Sequence, residues 1–258
     1  MVTIKSEREI ELMRAAGKAA AACLTDMIKL VKVGVRPIEI DRACHEWTVS
    51  RGYVPAPLGY HGFPSNLCIS VNDVVCHGIP SKDAPAFKDG DIVNLDVTPI
   101  VDGFHGDTNA TVIVGRGKPE TERLVKTTLE SMWRGIAKVK PGAALGDIGH
   151  AIQTFAETEG YSVVVEYCGH GIGRGFHEDP QVSHVGQPGK GMKLREGMTL
   201  TIEPMINLGK RHVYEEDDGW TVRTKDGSLS AQFEHTVLVT KTGVEVLTLR
   251  EGETNPLI

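Results

Sequence analysis

The stretch from Asp91 to Val114, DIVNLDVTPIVDGFHGDTNATVIV, leaves the chain little freedom. Two apolar, strand-forming runs meet at Asp102-Gly103, a pair that the two-residue type I′ hairpin turn favours. With those residues as the turn, Asp96 pairs across from Asn109, and Asp107 lies two positions from Asn109 on the same face. Same-face diagonal neighbours on antiparallel strands sit about 7–8 Å apart, so the two carboxylates can converge on one object. Ile92, Leu95, Val97, Val112 and Val114 make the surroundings apolar. Two carboxylates gathered there would force one to protonate unless a cation neutralised them. A solvated ribbon is the alternative for the hairpin taken by itself, so the rest of the chain has to decide.

The chain has 258 residues, enough for one large domain or two ordinary ones, and 40% apolar with 24% charged residues is an ordinary globular balance. A net charge of −6 argues against nucleic acid, because neutralising phosphates needs a basic surface. The N-terminal MVTIKSEREIELMR enters a charged helical pattern without an apolar leader, and no uncharged run reaches the ~18 residues of a membrane span. Five cysteines (Cys23, Cys44, Cys68, Cys76, Cys168) without a CxxC pair speak against a disulfide framework and a zinc finger. A reduced, cytoplasmic protein is expected.

Ser6-Glu7-Arg8-Glu9 is a capping box, and Ile10, Met13, Gly17, Ala20 and Leu24 follow at helical spacing. Pro37 starts a second helix that Gly52 stops. A third begins near Pro119, carries Leu124, Thr128, Met132 and Ile136 on one face and ends at Pro141-Gly142; a fourth runs from about Gly146 to Gly160. These elements recur. Gly34, Ile40, Gly52 and Tyr53 are matched 108 positions later by Gly142, Ile148, Gly160 and Tyr161. Lys88-Asp89-Gly90, with Asp96 six residues after the glycine, is matched at an offset of 107 by Arg195-Glu196-Gly197 and Glu203. Two segments with nearly one offset indicate two similar halves, each two helices followed by strands, facing across a pseudo-twofold axis with sheets inside and helices outside.

The repeat carries chemistry with it. If Asp96 points into the crevice between halves, so does Glu203. GHGIGRGFHEDP at residues 169 to 180 and QFEHTVLV around Glu234 add an imidazole from His170 or His177 and a further carboxylate, Glu234 being expected in an alternating strand like Asp107. Unpaired, such carboxylates would cost several kcal/mol each in an apolar crevice. Two divalent cations about 3.5–4 Å apart cancel the charge, as in many two-metal hydrolases, and oxygen ligands with one imidazole suit Mn²⁺, Fe²⁺, Co²⁺ or Zn²⁺. The alternate glycines at 169, 171, 173 and 175 lack the Lys-Ser/Thr ending of a phosphate loop, and neither GxSxG nor HExxH occurs. His45, His61, His105, His150, His184 and His212 have no argued role, and His235 is expected on the strand face opposite Glu234.

At this point the motifs VCHGIP (75–80), NLDVT (94–98), GFHGDT (103–108), GHGIGRGFHE (169–178), TIEP (201–204) and QFEHTV (232–237) are jointly specific, and the chain resembles the type I methionine aminopeptidases. The resemblance implies an α+β pita-bread fold, a central curved, mostly antiparallel sheet covered by helices in two pseudo-symmetric halves. It implies one catalytic domain over residues 1–258, with halves of about 1–115 and 116–250. The short separation of Glu203 from Glu234, 31 positions, leaves no room for the helical insertion of type II relatives. Asp107 and Glu234 would bridge two divalent ions (Co, Mn, Fe or Zn), His170 and Glu203 completing one and Asp96 chelating the other. His77 and His177 match the family's catalytic imidazoles, near the scissile nitrogen and the carbonyl oxygen, with Glu203 relaying the proton. Tyr60, Phe63, Cys68, Phe176 and Trp220, with His77 and His177, match the methionine-binding positions. Asn72, Val74 and Ser230 match a monovalent cation site for Na⁺ or K⁺. Pro57 stands where cysteine is common and Phe63 where tyrosine is common.

The implied activity is removal of the initiator methionine from nascent proteins with a small second residue. The implied partners are peptide or nascent-chain N-termini beginning with Met and the ribosome, with no nucleic acid and no membrane, the chain acting as a monomer. Xaa-Pro dipeptidases and aminopeptidase P share the fold but usually carry a separate N-terminal domain with no counterpart in this sequence. A binding-only homologue would have lost ligands and gained basic surface.

Overall fold

Ser6 opens the first helix through a reciprocal cap: its Oγ accepts from the N–H of Glu9 at 3.4 Å, and its own N–H donates to Glu9 Oε2 at 3.0 Å. The structure, a computed structural model, describes residues 2–254 and 256. The first half of the chain comprises α1 (Glu7–Ile28), α2 (Pro37–Val49), β1 (Val54–Pro55), a 3₁₀ turn (Tyr60–Gly62), β2 (Cys68–Val71), β3 (Val74–Cys76), β4 (Ile92–Val97), β5 (Pro99–Val101), β6 (Phe104–His105) and β7 (Thr108–Ile113). The second comprises α3 (Pro119–Ile136), α4 (Leu145–Thr158), β8 (Ser162–Val163), β9 (Gly169–Gly171), β10 (Glu178–Val182), β11 (Thr199–Ile202), β12 (Met205–Asn207), β13 (Val213–Glu215), β14 (Val222–Thr224), β15 (Ser230–Gln232), β16 (His235–Val239) and β17 (Val244–Val246). Two helices followed by strands therefore occur twice. None of the described helices is long and apolar enough to cross a membrane.

The helices follow their sequence signals with small shifts at the ends. Pro37 occupies the first turn of α2, and Gly52 turns the chain out of it, donating to Val49 O at 2.9 Å. The third helix stops at Ile136, short of Pro141, because the chain bends there to place Val139 in the core. Leu124, Thr128, Met132 and Ile136 are all buried, as their spacing predicts. Gly17, in the middle of α1, sits where a Cβ would be 2.5 Å from the Leu247 carbonyl oxygen, so the glycine is a close-packing requirement.

The strands form five small sheets, β1-β5-β6, β2-β4-β7, β13-β14-β3, β15-β12-β8 and β10-β9-β11-β16-β17, and every described pair is antiparallel. The central layer is thus divided rather than continuous. Asp102 and Gly103 both take positive φ, 48° and 79°, between the paired residues Val101 and Phe104, as a type I′ turn demands. The expected register holds: Asp96 faces Asn109, and on its other side faces Cys68 of β2. Between helices and strands lies the main core, in which Leu24, Ile40, Met132 and Ile152 from the four helices meet Val93, Leu95, Leu200 and Val237 from the sheets. The repeated glycines adopt the same backbone state in both copies, Gly34 and Gly142 at φ 88° and 83°, Gly90 and Gly197 at 89° and 84°.

Candidate metal centre and substrate pocket

Three carboxylates of the candidate site lie where one sheet hands the chain to another. Asp107 falls between β6 and β7, Glu203 between β11 and β12, and Glu234 between β15 and β16. The expectation that Asp107 and Glu234 sit within alternating strands is therefore corrected. An interrupted ladder frees a side chain from strict alternation, and this lets groups from opposite sheets turn toward one point. Asp96 alone is inside a strand, β4.

These side chains meet. Nε2 of His170 is 3.6 Å from both Asp107 Oδ2 and Glu203 Oε1. Atoms of Asp107, His170 and Glu234 all fall within 4.8 Å of one another. Two second oxygens are held from behind, Thr98 Oγ1 donating to Asp107 Oδ1 and Asn109 Nδ2 to Glu234 Oε2, each at 2.8 Å, while Thr201 Oγ1 donates at 2.6 Å to the same Glu203 Oε1 that faces His170. Asp96 Oδ1 and Glu234 Oε1 are buried with no hydrogen-bond partner, an expensive state for a polar atom. His170 Nδ1 lies 3.0 Å from the Gly171 carbonyl, which only accepts. Nδ1 therefore carries the proton, and the Nε2 lone pair faces the carboxylates.

Lone pairs aimed at one another in a buried space repel, and the acidities register it. Burial and the Asp107 and Glu203 charges raise Asp96 well above the usual carboxylate range; burial and the neighbouring carboxylates do the same to Glu234. Burial pushes Asp107 up to about 7, against hydrogen bonds from Thr98 and Thr108, and burial with the Asp107 charge pushes Glu203 up to about 8. Burial lowers His170 to about 3. A neutral imidazole and hard oxygen donors with two orphaned atoms fit divalent cations, which would offset the gathered charge and give the orphaned oxygens partners.

Above the cluster is a cavity of about 360 Å³ whose walls include Tyr60, Phe63, Cys68, His77, Phe176, His177 and Trp220 as well as all five candidate ligands. Phe63 is buried and meets Trp220 edge-on at 5.1 Å, and His77 stands edge-on to Tyr167 at 5.5 Å. Phe176 stacks on His177 at 4.3 Å, and His177 Nδ1 lies 2.8 Å from the Tyr60 hydroxyl. Pro57 also lines the cavity.

Asn72, Val74 and Ser230 lie apart from this pocket: Ser230 N–H donates to Asn72 O at 2.9 Å, and Ser230 Oγ is buried without a partner. His235, the first residue of β16, bonds Thr248 Oγ1 at 2.9 Å. The glycines at 169 and 171 serve packing, since a Cβ there would be 2.4 Å from Thr201 O and 2.1 Å from Asp179 O. Sequence reasoning missed Cys76, Glu166, Tyr167, Cys168, Met205 and Gln232 on the wall, and missed His184, whose Nε2 accepts from the Glu203 N–H at 3.1 Å. A lone histidine after QVS offers no signal of that contact.

The chain is 55% identical over 258 residues to the methionine aminopeptidase of Escherichia coli strain K12, covering all of this chain and 97% of that one. The crystal structure of methionine aminopeptidase from Rickettsia prowazekii superposes with a TM-score of 0.94 at 50% identity, covering 96% of this chain and all of that one. Prolidase from Pyrococcus furiosus, at 23% identity and a TM-score of 0.76, shares the fold over 65% of its own length. A family profile matches residues 11–241, and with it the chain belongs to metallopeptidase family M24.

Proposed function

We propose that this protein is a methionine aminopeptidase, a hydrolase that removes the initiator methionine from proteins whose second residue is small. One observation carries the reading: four carboxylates, Asp107 and Glu234 buried and Asp96 and Glu203 half-buried, and the Nε2 lone pair of His170 converge at the floor of an aromatic- and thiol-lined cavity, in a chain 55% identical to a methionine aminopeptidase along its length. Asp107 and Glu234 would bridge two divalent ions, with His170 and Glu203 completing one site and Asp96 the other. The bound ions would supply Lewis acidity and cancel the cluster's charge. Co, Mn, Fe and Zn all suit the donors.

The chain's own groups do the rest. Glu203 takes the proton of the attacking water on its carboxylate and returns it to the leaving amine. His177 Nδ1 and the Tyr60 hydroxyl share a hydrogen bond at 2.8 Å; with the hydroxyl as donor, the Nε2 proton of His177 would be left to stabilise charge on the carbonyl oxygen, an effect worth about 3–4 kcal/mol per donor where measured. His77 serves the scissile nitrogen. Phe63, Cys68, Phe176 and Trp220 surround an unbranched thioether, which aromatic and sulfur contacts favour, and Phe63 offers no hydroxyl to the substrate's amine. Asn72, Val74 and Ser230 would hold Na⁺ or K⁺. The chain works as one catalytic domain over residues 1–258, as a monomer in the cytoplasm, on N-termini emerging from the ribosome.

Metal-stripped protein reconstituted with each ion in turn and offered Met-Ala-Ser and Xaa-Pro peptides tests this. Cleavage of Met-Ala-Ser in the reconstituted protein alone is expected; cleavage of only the Xaa-Pro peptides would replace the reading with a prolidase-type activity.

A further inference from the structure

We infer that the ion pair between the buried Lys5 and the half-buried Glu178 is a positioning device that holds the loop carrying Phe176 and His177 in its working shape. This rests on the reading of His177 and Phe176 given above. Lys5 lies ahead of α1, and its side chain is 3% exposed; Glu178 is 16% exposed, and Nζ meets Oε2 at 2.7 Å. Lysine is among the residues least often buried, and an ion pair taken out of water gives little net stability over an apolar pair of similar size. Its presence here calls for a reason other than holding the terminus down. The backbone already does that, since Lys5 N–H donates to Gly197 O at 2.8 Å.

Glu178 uses its two oxygens differently. Oε2 takes Lys5, while Oε1 accepts the N–H of Gly175 at 3.0 Å, inside the loop. On the other side His105 grips the loop: its N–H and its Nδ1 reach Gly173 O at 2.9 and 3.0 Å, and its ring stacks on Phe176 at 5.4 Å and 15°. Phe176 and His177 are carried between these two holds. Gly173 and Gly175 give the loop no stiffness of its own, so its shape depends on what it is fastened to. The fit is close: a Cβ at Gly173 would be 2.7 Å from Lys5 Nζ and 2.8 Å from Glu178 Oε1.

The test uses the full chain loaded with Mn²⁺ and the substrate Met-Ala-Ser, below the melting temperature of every variant. Lys5→Met and Glu178→Gln are expected to lower kcat roughly ten- to hundred-fold, as a small misplacement of reacting groups does, with Mn²⁺ stoichiometry and affinity by calorimetry unchanged. Lys5→Arg, which keeps a cation for Oε2 and leaves Oε1 to the Gly175 amide, is expected to retain most of the wild-type kcat, and hydrogen exchange at the Gly175 amide to quicken in Lys5→Met. Should Lys5→Met not fold, Glu178→Gln, which keeps an acceptor for Gly175, carries the comparison. Wild-type kcat in Glu178→Gln, a loss that tracks loss of Mn²⁺, or a kcat in folded Lys5→Arg as low as that of Lys5→Met each overturns the proposal. Quickened Gly175 exchange in a protein whose wild type leaves Met-Ala-Ser uncut would keep the fastening and remove the function.

Discussion

The backbone N–H of Glu203 donates to Nε2 of His184 at 3.1 Å. Burial lowers His184 to about 3, so the ring is neutral, and its Nδ1 is buried without a partner. Glu203 follows the end of β11, and this bond anchors its amide while Gln232 Nε2 donates to its carbonyl at 3.3 Å. Replacing His184 with Leu strands the amide, a loss of about 1–3 kcal/mol. Lower thermal stability together with weaker divalent-ion binding by calorimetry is expected, and His184→Asn, which retains an acceptor, should lose less of both.

The carboxylates and the outer imidazole should separate in their effects. Asp107→Asn or Glu234→Gln removes a group proposed to touch both ions, so metal content by mass spectrometry and turnover should fall together. His77 lines the cavity, and among the described residues it forms no hydrogen bond or ion pair with the carboxylate cluster. His77→Ala should keep the metal and lose rate, roughly a hundred-fold, as removal of a proton-transfer group does. Equal metal loss in all three variants would contradict the division of roles.

Much of this arrangement was legible because one turn decides so much. Asp102-Gly103 sets the register that puts Asp96 opposite Asn109, and the repeat then carries that position across to Glu203. Legibility stopped where the chain leaves a ladder. A period of two predicts faces inside a strand, and Asp107, Glu203 and Glu234 all sit in the gaps between strands. His184 and Lys5 were invisible for a related reason. Each acts through a contact distant in sequence, and no local pattern marks a histidine or a lysine destined to be buried.

Stability of the metal-free protein should fall as pH rises from 6.5 to 8. Burial lowers His170 and His184 to about 3 from an ordinary 6.5, so their contribution is complete above 6.5 and is lost only as pH drops below it. Asp107 and Glu203 run the other way, because burial raises them to about 7 and about 8. The folded chain there binds more protons than the unfolded one, and deprotonation penalises the folded state alone. Above pH 6.5 this second effect, to which Asp96 and Glu234 add because burial raises them too, outweighs what remains of the first. A calorimetric melting temperature a few degrees lower at pH 8 than at pH 6.5 is expected, and saturating Mn²⁺ should abolish or reverse that slope. A metal-free melting temperature that climbs over the same range would mean the carboxylates are not gathered.

Trp220 owes its place to Asp218. Oδ1 of Asp218 accepts the N–H groups of Trp220 and Thr221, each at 2.8 Å, and Oδ2 accepts the Thr221 hydroxyl at 2.6 Å. The carboxylate therefore closes an Asx turn across Gly219, which has a φ of 75°, and swings the indole over Phe63 at 5.1 Å. Asp218 is exposed and outside the carboxylate cluster. Its loss should loosen one wall of the proposed methionine pocket while leaving the reacting groups in place. Asp218→Ala is expected to raise KM for Met-Ala-Ser several-fold with kcat and metal content near wild type, and Asp218→Asn, which keeps Oδ1 as an acceptor, should recover much of the binding. A fall in kcat at unchanged KM would instead place Trp220 among the groups that act on the reacting bond.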